Sequence, residues 1–477
     1  MLANKQHIVP RPARLLLFLA FVYAFCWIKG WPVTYDDEEL PPSQRPKATT
    51  ALGEHRVSAD GLIVTVTTAE QDAFTKLAPA LLCLDPAHHK DLLLMGDAMI
   101  NIGPFPVFDV LAKYPAKYVA KTDELARYKR QREYARKGLP PSSLQEKDPK
   151  KEQAVLTALA KYKLFRAMES TWEYRPKRDW YAFTDEETFI DRGNLLDWLS
   201  QHDPKLKHFF ANPPIAVVPD AFAAGGTSFI LSGETMRLLF QDRKTMLQNF
   251  KNWDPRLPDY PSALHFIESF LKTELSLEMK SFWPGVSGFN PATVTYSPGL
   301  WCDPVLMMHH VSAGIGNHLY KFEKERAEEQ KIDSTLRYAD LWYQFIGRED
   351  LNQTRHDWDN LSSESTNNRW NILFANEGNA DASRATRGEE SWEACKQACE
   401  SNKHCLQWSY SSIEAPNWNE NGFTKCHLSS SMRLGAHAEP EQIEVNGEAK
   451  PRTWTSGWRK DHFKRWANQQ RCKNQQH

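Results

Sequence analysis

The feature that most constrains the fold is an apolar run of residues that ends abruptly in three acids. Residues Trp180–Phe183 are aromatic or apolar with no breaker among them, which predicts a buried β-strand. Asp185, Glu186 and Glu187 follow at once. Because side chains alternate along an extended chain, Asp185 and Glu187 would project from one face, where their oxygens could bind Mg²⁺ or Mn²⁺. The alternative is a solvated acidic turn that closes the strand.

Predicted strands and helices alternate on the N-terminal side of this run. A β-branched strand is predicted at 62–68, helical spacing follows at 69–81, and a second buried strand is predicted at 91–95. A further amphipathic helix at 154–168 leads into the strand at Trp180. This alternation predicts a parallel α/β sheet. Open sheets of this class bind ligands beyond the carboxyl ends of their strands, so the acids stand where a nucleotide could bind.

Composition limits the class of protein. The 477 residues are enough for two or three domains. The chain has 59 basic and 60 acidic residues, a formal net charge of −1, which gives no indication of nucleic-acid binding. Its 17 tryptophans offer aromatic platforms that suit carbohydrate, although ordinary cores use aromatic side chains at least as often.

The N-terminal sequence predicts a membrane anchor. Residues 1–14 are polar and carry three basic side chains, and residues 15–28 are uncharged. No small-residue cleavage pattern follows, and the acidic run 36–39 comes after the apolar segment, so the positive-inside rule places the N-terminus in the cytosol. We therefore predict a type II signal anchor at 15–28, with a cleaved signal peptide as the alternative. Residues 29–58 are rich in proline and charge and are predicted to form a stem.

Cysteines cluster near the C-terminus. Four of them fall within 32 residues: Cys395, Cys399, Cys405 and Cys426. In an oxidising lumen they predict a disulfide framework with three possible pairings, and a zinc site is the less favoured alternative. Outside the predicted anchor, Cys83, Cys302 and Cys472 remain. Because this number is odd, at least one of these thiols is expected to be unpaired or bonded elsewhere.

Three shorter motifs are compatible with function. Gly225 and Gly226 separate two apolar runs, and paired glycines allow a backbone to approach a ligand but also serve ordinary tight turns. A strand predicted through 301–308 runs into His309 and His310, and such a histidine pair is more often structural than metal-binding.

Two sequons in a polar segment complete the set. Asn352 and Asn360 each stand two residues before a hydroxyl residue, which makes both of them candidate N-glycosylation sites. Both agree with a lumenal location, although such triplets are common by chance.

Taken together, these motifs resemble the fungal branch of glycosyltransferase family 31, which is related to fringe and to core 1 β-1,3-galactosyltransferases. The matching stretches follow the family's order across about residues 60–375: 91–97, 108–111, 180–198, 225–232, 301–310, 320–323 and 357–361. Residues 399–434 with 456–458 are similar to the PAN/apple-like module that often follows these domains. The resemblance implies a GT-A-like fold, with a mostly parallel sheet flanked by helices and a small disulfide-bonded α+β module after it.

The resemblance also implies a chemistry. Members of this family transfer a sugar with inversion from a UDP-sugar onto a hydroxyl, and they use a divalent metal, usually Mn²⁺ and alternatively Mg²⁺. The expected sugar is galactose or an N-acetylhexosamine, and the expected acceptor is a glycan or glycoprotein in the Golgi or endoplasmic reticulum lumen. The family's metal motif falls on Asp185, Glu186 and Glu187, with Glu187 where the family usually has Asp. Its metal-contacting histidine falls on His309.

Further site residues follow from the same resemblance. Donor binding is assigned to five positions: Asp97, Trp180, Glu186, Gly225 and Gly226. By analogy with the PAN-like pattern, the expected disulfides are Cys395–Cys426 and Cys399–Cys405.

One departure from the family concerns the catalytic base. The family carries an Asp near the start of the helix that follows the Gly-Gly segment, and here Ser262 or Ala263 occupies that position. An inverting transfer needs a carboxylate that takes the proton of the acceptor hydroxyl. Asp259 and Glu268 are the nearest substitutes.

These observations lead to three hypotheses and one domain plan. The chain is a metal-dependent glycosyltransferase, a non-catalytic relative that binds glycans or a partner, or a lectin-like protein whose function resides in its cysteine-rich part. The expected parts are a cytosolic tail (1–14), an anchor (15–28), a stem (29–58), a GT-A-like domain (59–375), a PAN/apple-like module (376–460) and a polar tail (461–477).

Overall fold

The structure is a computed structural model. It describes residues 59–212, 228–282, 284–296, 300–328, 335–363, 371–372, 388–413, 424–445, 447–470 and 472. The predicted signal anchor, the predicted stem, Gly225 and Gly226 lie outside these residues. No helix within the described ranges is long and apolar enough to cross a membrane.

The described residues form eighteen strands. They are β1 (Leu62–Thr67), β2 (Leu92–Gly96), β3 (Ile100–Ile102), β4 (Phe105–Asp109), β5 (Trp180–Asp185), β6 (Phe189–Ile190), β7 (Phe209–Ala211), β8 (Phe229–Ser232), β9 (Val286–Ser287), β10 (Met307–Met308), β11 (Arg355–His356), β12 (Trp358–Asp359), β13 (Asn371–Ile372), β14 (Gln407–Ile413), β15 (Thr424–Ser429), β16 (Ala436–His437), β17 (Glu441–Val445) and β18 (Glu448–Trp458).

The same ranges contain twelve α-helices and two π-helical turns. The helices are α1 (Ala78–Leu82), α2 (Ala116–Lys121), α3 (Ala126–Lys137), α4 (Pro149–Tyr174), α5 (Arg192–Leu199), α6 (Gly233–Phe240), α7 (Arg243–Trp253), α8 (Ala263–Leu275), α9 (Ala313–Glu328), α10 (Tyr338–Leu341), α11 (Trp392–Ser401) and α12 (Lys460–Ala467). The π-helical turns are Ala73–Leu77 and Trp342–Ile346.

A seven-stranded sheet organises the first half of the chain. Its order is β3-β4-β2-β1-β5-β8-β7, and the central strands β4, β2, β1 and β5 run parallel to one another. Strands β3 and β8 run antiparallel to their neighbours β4 and β5. Helices flank this sheet, so the mixed α/β class predicted from the alternation of strands and helices is confirmed. In the register of β1 and β5, Thr67 lies beside Asp185 at the carboxyl ends of both strands.

Helix α4 shows why this sheet forms. Asp148 caps its first turn by accepting a hydrogen bond from the Lys150 amide at 2.9 Å, and Pro149 occupies the first helical position, where it loses no hydrogen bond. The helix then buries Leu159, Phe165 and other apolar side chains in the largest core cluster, against β1, β5 and α8. It is longer at both ends than the segment predicted from sequence.

A separate three-stranded sheet carries the histidine pair. Strand β10 pairs antiparallel with β6 and parallel with β9, so His309 does not come from the seven-stranded sheet, contrary to expectation. The strand predicted through 301–308 is reduced to Met307–Met308, because a turn hydrogen-bonds Asp303 to Leu300 and Pro304 follows it.

A six-stranded sheet forms the C-terminal region. Strands β11, β18, β14, β15 and β13 pair in this order, and β17 pairs with β18. Helix α11 packs on this sheet through Cys395 and Cys399, which are bonded to Cys426 and Cys405. These are the two pairings that the resemblance implied.

A third disulfide, Cys302–Cys472, connects the turn before β10 to the segment after α12. Among the described cysteines, Cys83 carries a free thiol. Helix α12 lies in the part of the sequence expected to be a polar tail, yet Phe463 and Ala467 on one of its sides are buried. They share one core cluster with Trp301 and Trp342, so the C-terminal segment completes the core beneath β10.

Candidate active site at the end of strand β5

Two chain segments that are distant in sequence meet at the carboxyl end of β5. Asp185 is the last residue of that strand, and the pairing of Met308 with Phe189 places His309 next to it. The amide of His309 donates to the carbonyl of Ser287 at 2.9 Å, which fixes the backbone at this point. The site is therefore built where a parallel sheet and the small three-stranded sheet adjoin.

Hydrogen bonds orient the Asp185 carboxylate. Its Oδ1 accepts from the Thr188 hydroxyl at 2.8 Å and from the Glu187 amide at 3.1 Å, and it lies 3.2 Å from Nδ1 of His309. Thr188 Oγ1 is also 3.3 Å from the same imidazole nitrogen. The structure thus brings together Asp185 and His309, the two residues that the family resemblance assigned to one site, and adds Thr188. A carboxylate followed three residues later by a hydroxyl is the local signal that sequence reasoning overlooked.

The two histidines differ in their electrostatics. Burial lowers the pKa of His309, but the surrounding carboxylates, Asp185 foremost and then Glu187 and Glu186, together outweigh burial and leave that pKa above its usual value. Burial and the neighbouring His309 lower the pKa of His310 to about 4. His310 also has a φ of 56°, a left-handed conformation that is uncommon for residues other than glycine. Strained backbone of this kind concentrates at functional sites.

Glu187 has a different partner from the one predicted. Its Oε2 lies 3.1 Å from Nζ of Lys76, which comes from the π-helical turn after β1. Lys76 is also 4.0 Å from the Asp72 carboxylate. Nothing in the sequence signals this contact, because Lys76 and Glu187 lie in separate motifs.

The residues present fit a divalent cation in part. A carboxylate and an imidazole suit Mn²⁺, and Asp185 and His309 provide one of each at hydrogen-bond distance. The third predicted ligand, Glu187, is engaged by Lys76. Accordingly, the described ranges hold no group of three His, Cys, Asp or Glu side chains arranged to bind a metal ion.

Glu186 is the most strongly perturbed acid of this strand end. Burial, followed by the neighbouring Asp185 carboxylate, raises the pKa of Glu186 to about 8. The Glu186 carboxyl group therefore holds its proton more tightly than an ordinary glutamate, and in the protonated form it can donate a hydrogen bond. That property would suit a contact with a hydroxyl or a phosphate oxygen.

Asp97 supports the site from below. Its side chain is fully buried; Oδ1 accepts from the Glu70 amide at 2.7 Å, and Oδ2 lies 3.4 Å from Nζ of Lys163. Lys163 also donates to the carbonyl of Thr68 at 2.9 Å. These bonds hold the turn after β1, so the structure gives Asp97 a positioning role in place of the direct donor contact expected from the resemblance.

Trp180 is not placed to bind a donor, contrary to expectation. It begins β5 and is fully buried, with its ring 6.1 Å from that of Phe210. Asp185 ends the same six-residue strand, so the two backbones are about 17 Å apart. Trp180 is a core residue at the amino end of β5. In open α/β sheets ligands bind beyond the carboxyl ends of the strands, so Trp180 lies at the opposite end from the candidate site.

The two predicted base residues belong to the helical layer. Asp259 is exposed and ends a 3₁₀ turn at Asp254–Asp259, and Glu268 is half-buried on α8. Where the family carries its Asp, Ser262 caps α8 by accepting from the His265 amide, and its hydroxyl lies 2.8 Å from Nδ1 of His265. Local sequence therefore favours a helix cap at this position.

The two sequons have opposite environments. Asn352 is exposed. Asn360 is fully buried, and its amide donates to the carbonyls of Trp408 and Gly457 at 3.0 and 3.3 Å. A glycan on that nitrogen would replace one of the two donated hydrogens and would have to fit into a fully buried position. The structure therefore argues against Asn360 as a glycosylation site, and Asn352 stays a prediction.

Comparison with known proteins adds no identification. No protein-family model matches the chain, and no curated protein matches it. The resemblance to glycosyltransferase family 31 therefore stays a prediction that depends on the motifs and on the site geometry.

Proposed function

We propose that this chain is a metal-dependent, inverting glycosyltransferase with a GT-A-like fold. The observation that carries the proposal is the 3.2 Å approach of Asp185 Oδ1 and His309 Nδ1 at the carboxyl end of β5. In open α/β sheets this edge is the usual place for nucleotide ligands. The donor would be a UDP-sugar that supplies galactose or an N-acetylhexosamine, and the acceptor a hydroxyl of a glycan or glycoprotein, giving a β-1,3-type linkage.

Each site residue has a defined task in this proposal. Asp185 and His309 would hold Mn²⁺ or Mg²⁺, a cation that neutralises the charge developing on the departing diphosphate. Thr188 and the Glu187 amide keep the Asp185 carboxylate in a fixed orientation, which preserves the ligand geometry.

The proton of the acceptor hydroxyl needs a separate carboxylate. Asp259 and Glu268 are the residues that we propose for this step, because they flank the position of the family's base. The test is a rate comparison of Asp259→Asn and Glu268→Gln in a transfer assay, in which the true base loses at least about a hundredfold in rate.

The proposed location is the Golgi or endoplasmic reticulum membrane, with type II topology and residues 29–477 in the lumen. Three disulfides among the described cysteines support it, because such bonds persist in oxidising compartments. Protease protection in sealed vesicles tests this: a C-terminus that is digested without detergent contradicts the topology.

A second function deserves a direct comparison. The family's base position is occupied by the helix cap Ser262, and Glu187 is bonded to Lys76, two observations that favour a non-catalytic protein that binds glycans or a partner. Such a protein could keep the fold and could bind a nucleotide at the carboxyl end of the parallel strands without transferring sugar.

The deciding experiment is a UDP titration of the full chain, purified in mild detergent, with Mn²⁺ or with a chelator. We expect Asp185→Ala and His309→Ala each to lose at least about tenfold in Mn²⁺-dependent UDP affinity, the effect of removing a charged ligand. The exposed residues Asp60 and His404 provide matched controls as Asp60→Ala and His404→Ala. Unchanged UDP binding in both site variants would contradict the metal site.

A panel of UDP-sugars then separates the two functions. Mn²⁺-dependent hydrolysis or transfer of one sugar supports the transferase. Metal-dependent UDP binding without turnover of any sugar supports the binding protein.

A further inference from the structure

A lysine side chain, Lys76, lies among the carboxylates at the end of β5. Lys76 Nζ lies 3.1 Å from Glu187 Oε2 and 4.0 Å from Asp72 Oδ1. The lysine side chain is 41% exposed and that of Glu187 is 35% exposed, so both reach solvent at the open edge of the sheet. The contact is therefore accessible to a ligand that enters this edge.

The position of Lys76 explains its access to the site. It stands on the π-helical turn Ala73–Leu77, which follows β1, and β1 is the parallel neighbour of β5. The buried Asp97 accepts from the Glu70 amide in the segment between β1 and this turn, and the Lys76 amide donates to the Asp72 carbonyl at 2.8 Å. Lys76 thus projects from a fixed turn on a flexible side chain, beside the residues proposed to bind the metal.

We infer that Lys76 is a diphosphate-binding residue that exchanges partners, bonded to Glu187 in the empty site and to a donor phosphate in the filled one. The inference rests on the proposed function, which it deepens by naming the group that recognises the nucleoside diphosphate. In this arrangement Lys76 and a divalent cation compete for Glu187.

Charge balance supports this exchange. A diphosphate that enters an edge lined by Asp72, Asp185 and Glu187 meets carboxylates of its own sign, and such like-charge contacts are unfavourable without cations between them. An ammonium group forms strong charge-assisted hydrogen bonds with phosphate oxygens. Transfer of Lys76 to the phosphate would at the same moment release the Glu187 carboxylate, which the sequence predicts as a metal ligand.

The exchange predicts two effects of opposite sign from one substitution. In Lys76→Met the ammonium is lost while the length of the side chain is kept, so UDP affinity in Mn²⁺ should fall about tenfold. Affinity for Mn²⁺ alone should rise several-fold, because Glu187 no longer has a lysine partner. Uridine, which has no phosphate, should show no change in its binding between the parent and Lys76→Met.

The experiment uses the full chain in mild detergent, with calorimetric titrations of Mn²⁺, UDP and uridine. Lys76→Arg keeps the charge and should retain most of the UDP affinity. Lys90→Met is the matched control, since Lys90 pairs with Asp60 at the surface before β2, at the opposite end of the parallel strands. It should leave all three affinities unchanged.

The outcomes separate this inference from the proposed function. If the parent chain binds UDP in Mn²⁺ and Lys76→Met binds UDP and Mn²⁺ as the parent does, the partner exchange is wrong and the proposed function stands. If Lys76→Met loses both affinities together, Lys76 is structural and the inference is also wrong. If the parent binds no UDP under any condition, both proposals fall.

Discussion

The seven-stranded sheet and the six-stranded sheet are stabilised in different ways. The first encloses a large apolar cluster in which Phe165 packs against Phe250, Phe266 and Phe270, and no disulfide lies within its described strands and helices. The second has a smaller apolar cluster, two disulfides of its own and buried polar side chains such as Asn360 and Gln407. The small apolar cluster beneath α11 buries little apolar surface, and covalent bonds compensate for that deficit.

The residues of the candidate site come from these two differently stabilised regions. Asp185 and Lys76 belong to the part whose described residues contain no disulfide. His309 follows β10, whose Met308 lies in the cluster that α12 and the C-terminal sheet complete. The geometry of the site consequently depends on both regions, so a perturbation of either one should reach it.

The largest expected effect comes from the disulfides. Cys302–Cys472 spans 170 residues and Cys399–Cys405 spans 6. Chain-entropy estimates give about 5 kcal/mol for the long loop and about 2 kcal/mol for the short one. The double Ser variant of the first pair should therefore lose about 3 kcal/mol more free energy of unfolding in urea than that of the second.

Cys83→Ser is the control for this series, because Cys83 is a free thiol. It should leave the urea transition unchanged. Equal losses from the two double variants would contradict the idea that the long bond is the main covalent support of the C-terminal region.

A medium effect is expected at Asn360. In Asn360→Ala the buried carbonyls of Trp408 and Gly457 lose their donor, which should cost about 2–3 kcal/mol in urea unfolding. Asn352→Gln should cost almost nothing, since Asn352 is exposed. For glycosylation the order of the two variants is the opposite of that for stability. Treatment with a glycosidase should shift the parent and Asn360→Ala in electrophoresis but not Asn352→Gln. A glycan that disappears only in Asn360→Ala would overturn this assignment.

The last effect, which is the smallest when it is expressed per pH unit, concerns the pH dependence of stability at Glu323. Burial, followed by the nearby Asp191, raises the pKa of Glu323 on α9 to about 8. The folded chain then holds this proton more tightly than the unfolded chain, so stability should fall as pH rises from about 4.5 toward 8, by at most about 1.4 kcal/mol per unit. In Glu323→Gln this fall in the urea midpoint between pH 5.5 and 7.5 should be weaker. Glu325→Gln, on an exposed part of the same helix, should follow the parent.

The sequence predicted the elements whose pattern is local. The buried runs of β1, β2 and β5 and the periodicity of α4 were sufficient to predict the sheet, and Asp185 lies where the strand pattern indicated. The spacing of Phe463, Trp466 and Ala467 could have indicated an amphipathic α12, but the polar composition around them concealed it.

Contacts between distant segments could not be predicted in this way. The bond between Lys76 and Glu187 joins residues 111 positions apart, and no local pattern specifies it. The same limitation applies to Asn360, whose sequon is identical in form to that of Asn352 but whose amide is buried by strands from another part of the chain. For Trp180 the strand was predicted correctly, but its role was not. Trp180 begins β5 and the candidate site lies at the other end of that strand, so Trp180 is not part of the site.

The core shared by β10 and α12 sets the order in which this protein can mature. Synthesis proceeds from the N-terminus, so the seven-stranded sheet can form on the ribosome while Trp301, Trp342 and Met308 still lack Phe463 and Ala467 as neighbours. The nascent chain must hold an uncovered apolar surface beside His309 until Cys472 arrives, and chaperones would be expected to bind it during that interval. A stop codon just before α12 would remove none of the described strands, yet it would leave that surface exposed for the life of the protein and direct the chain to degradation.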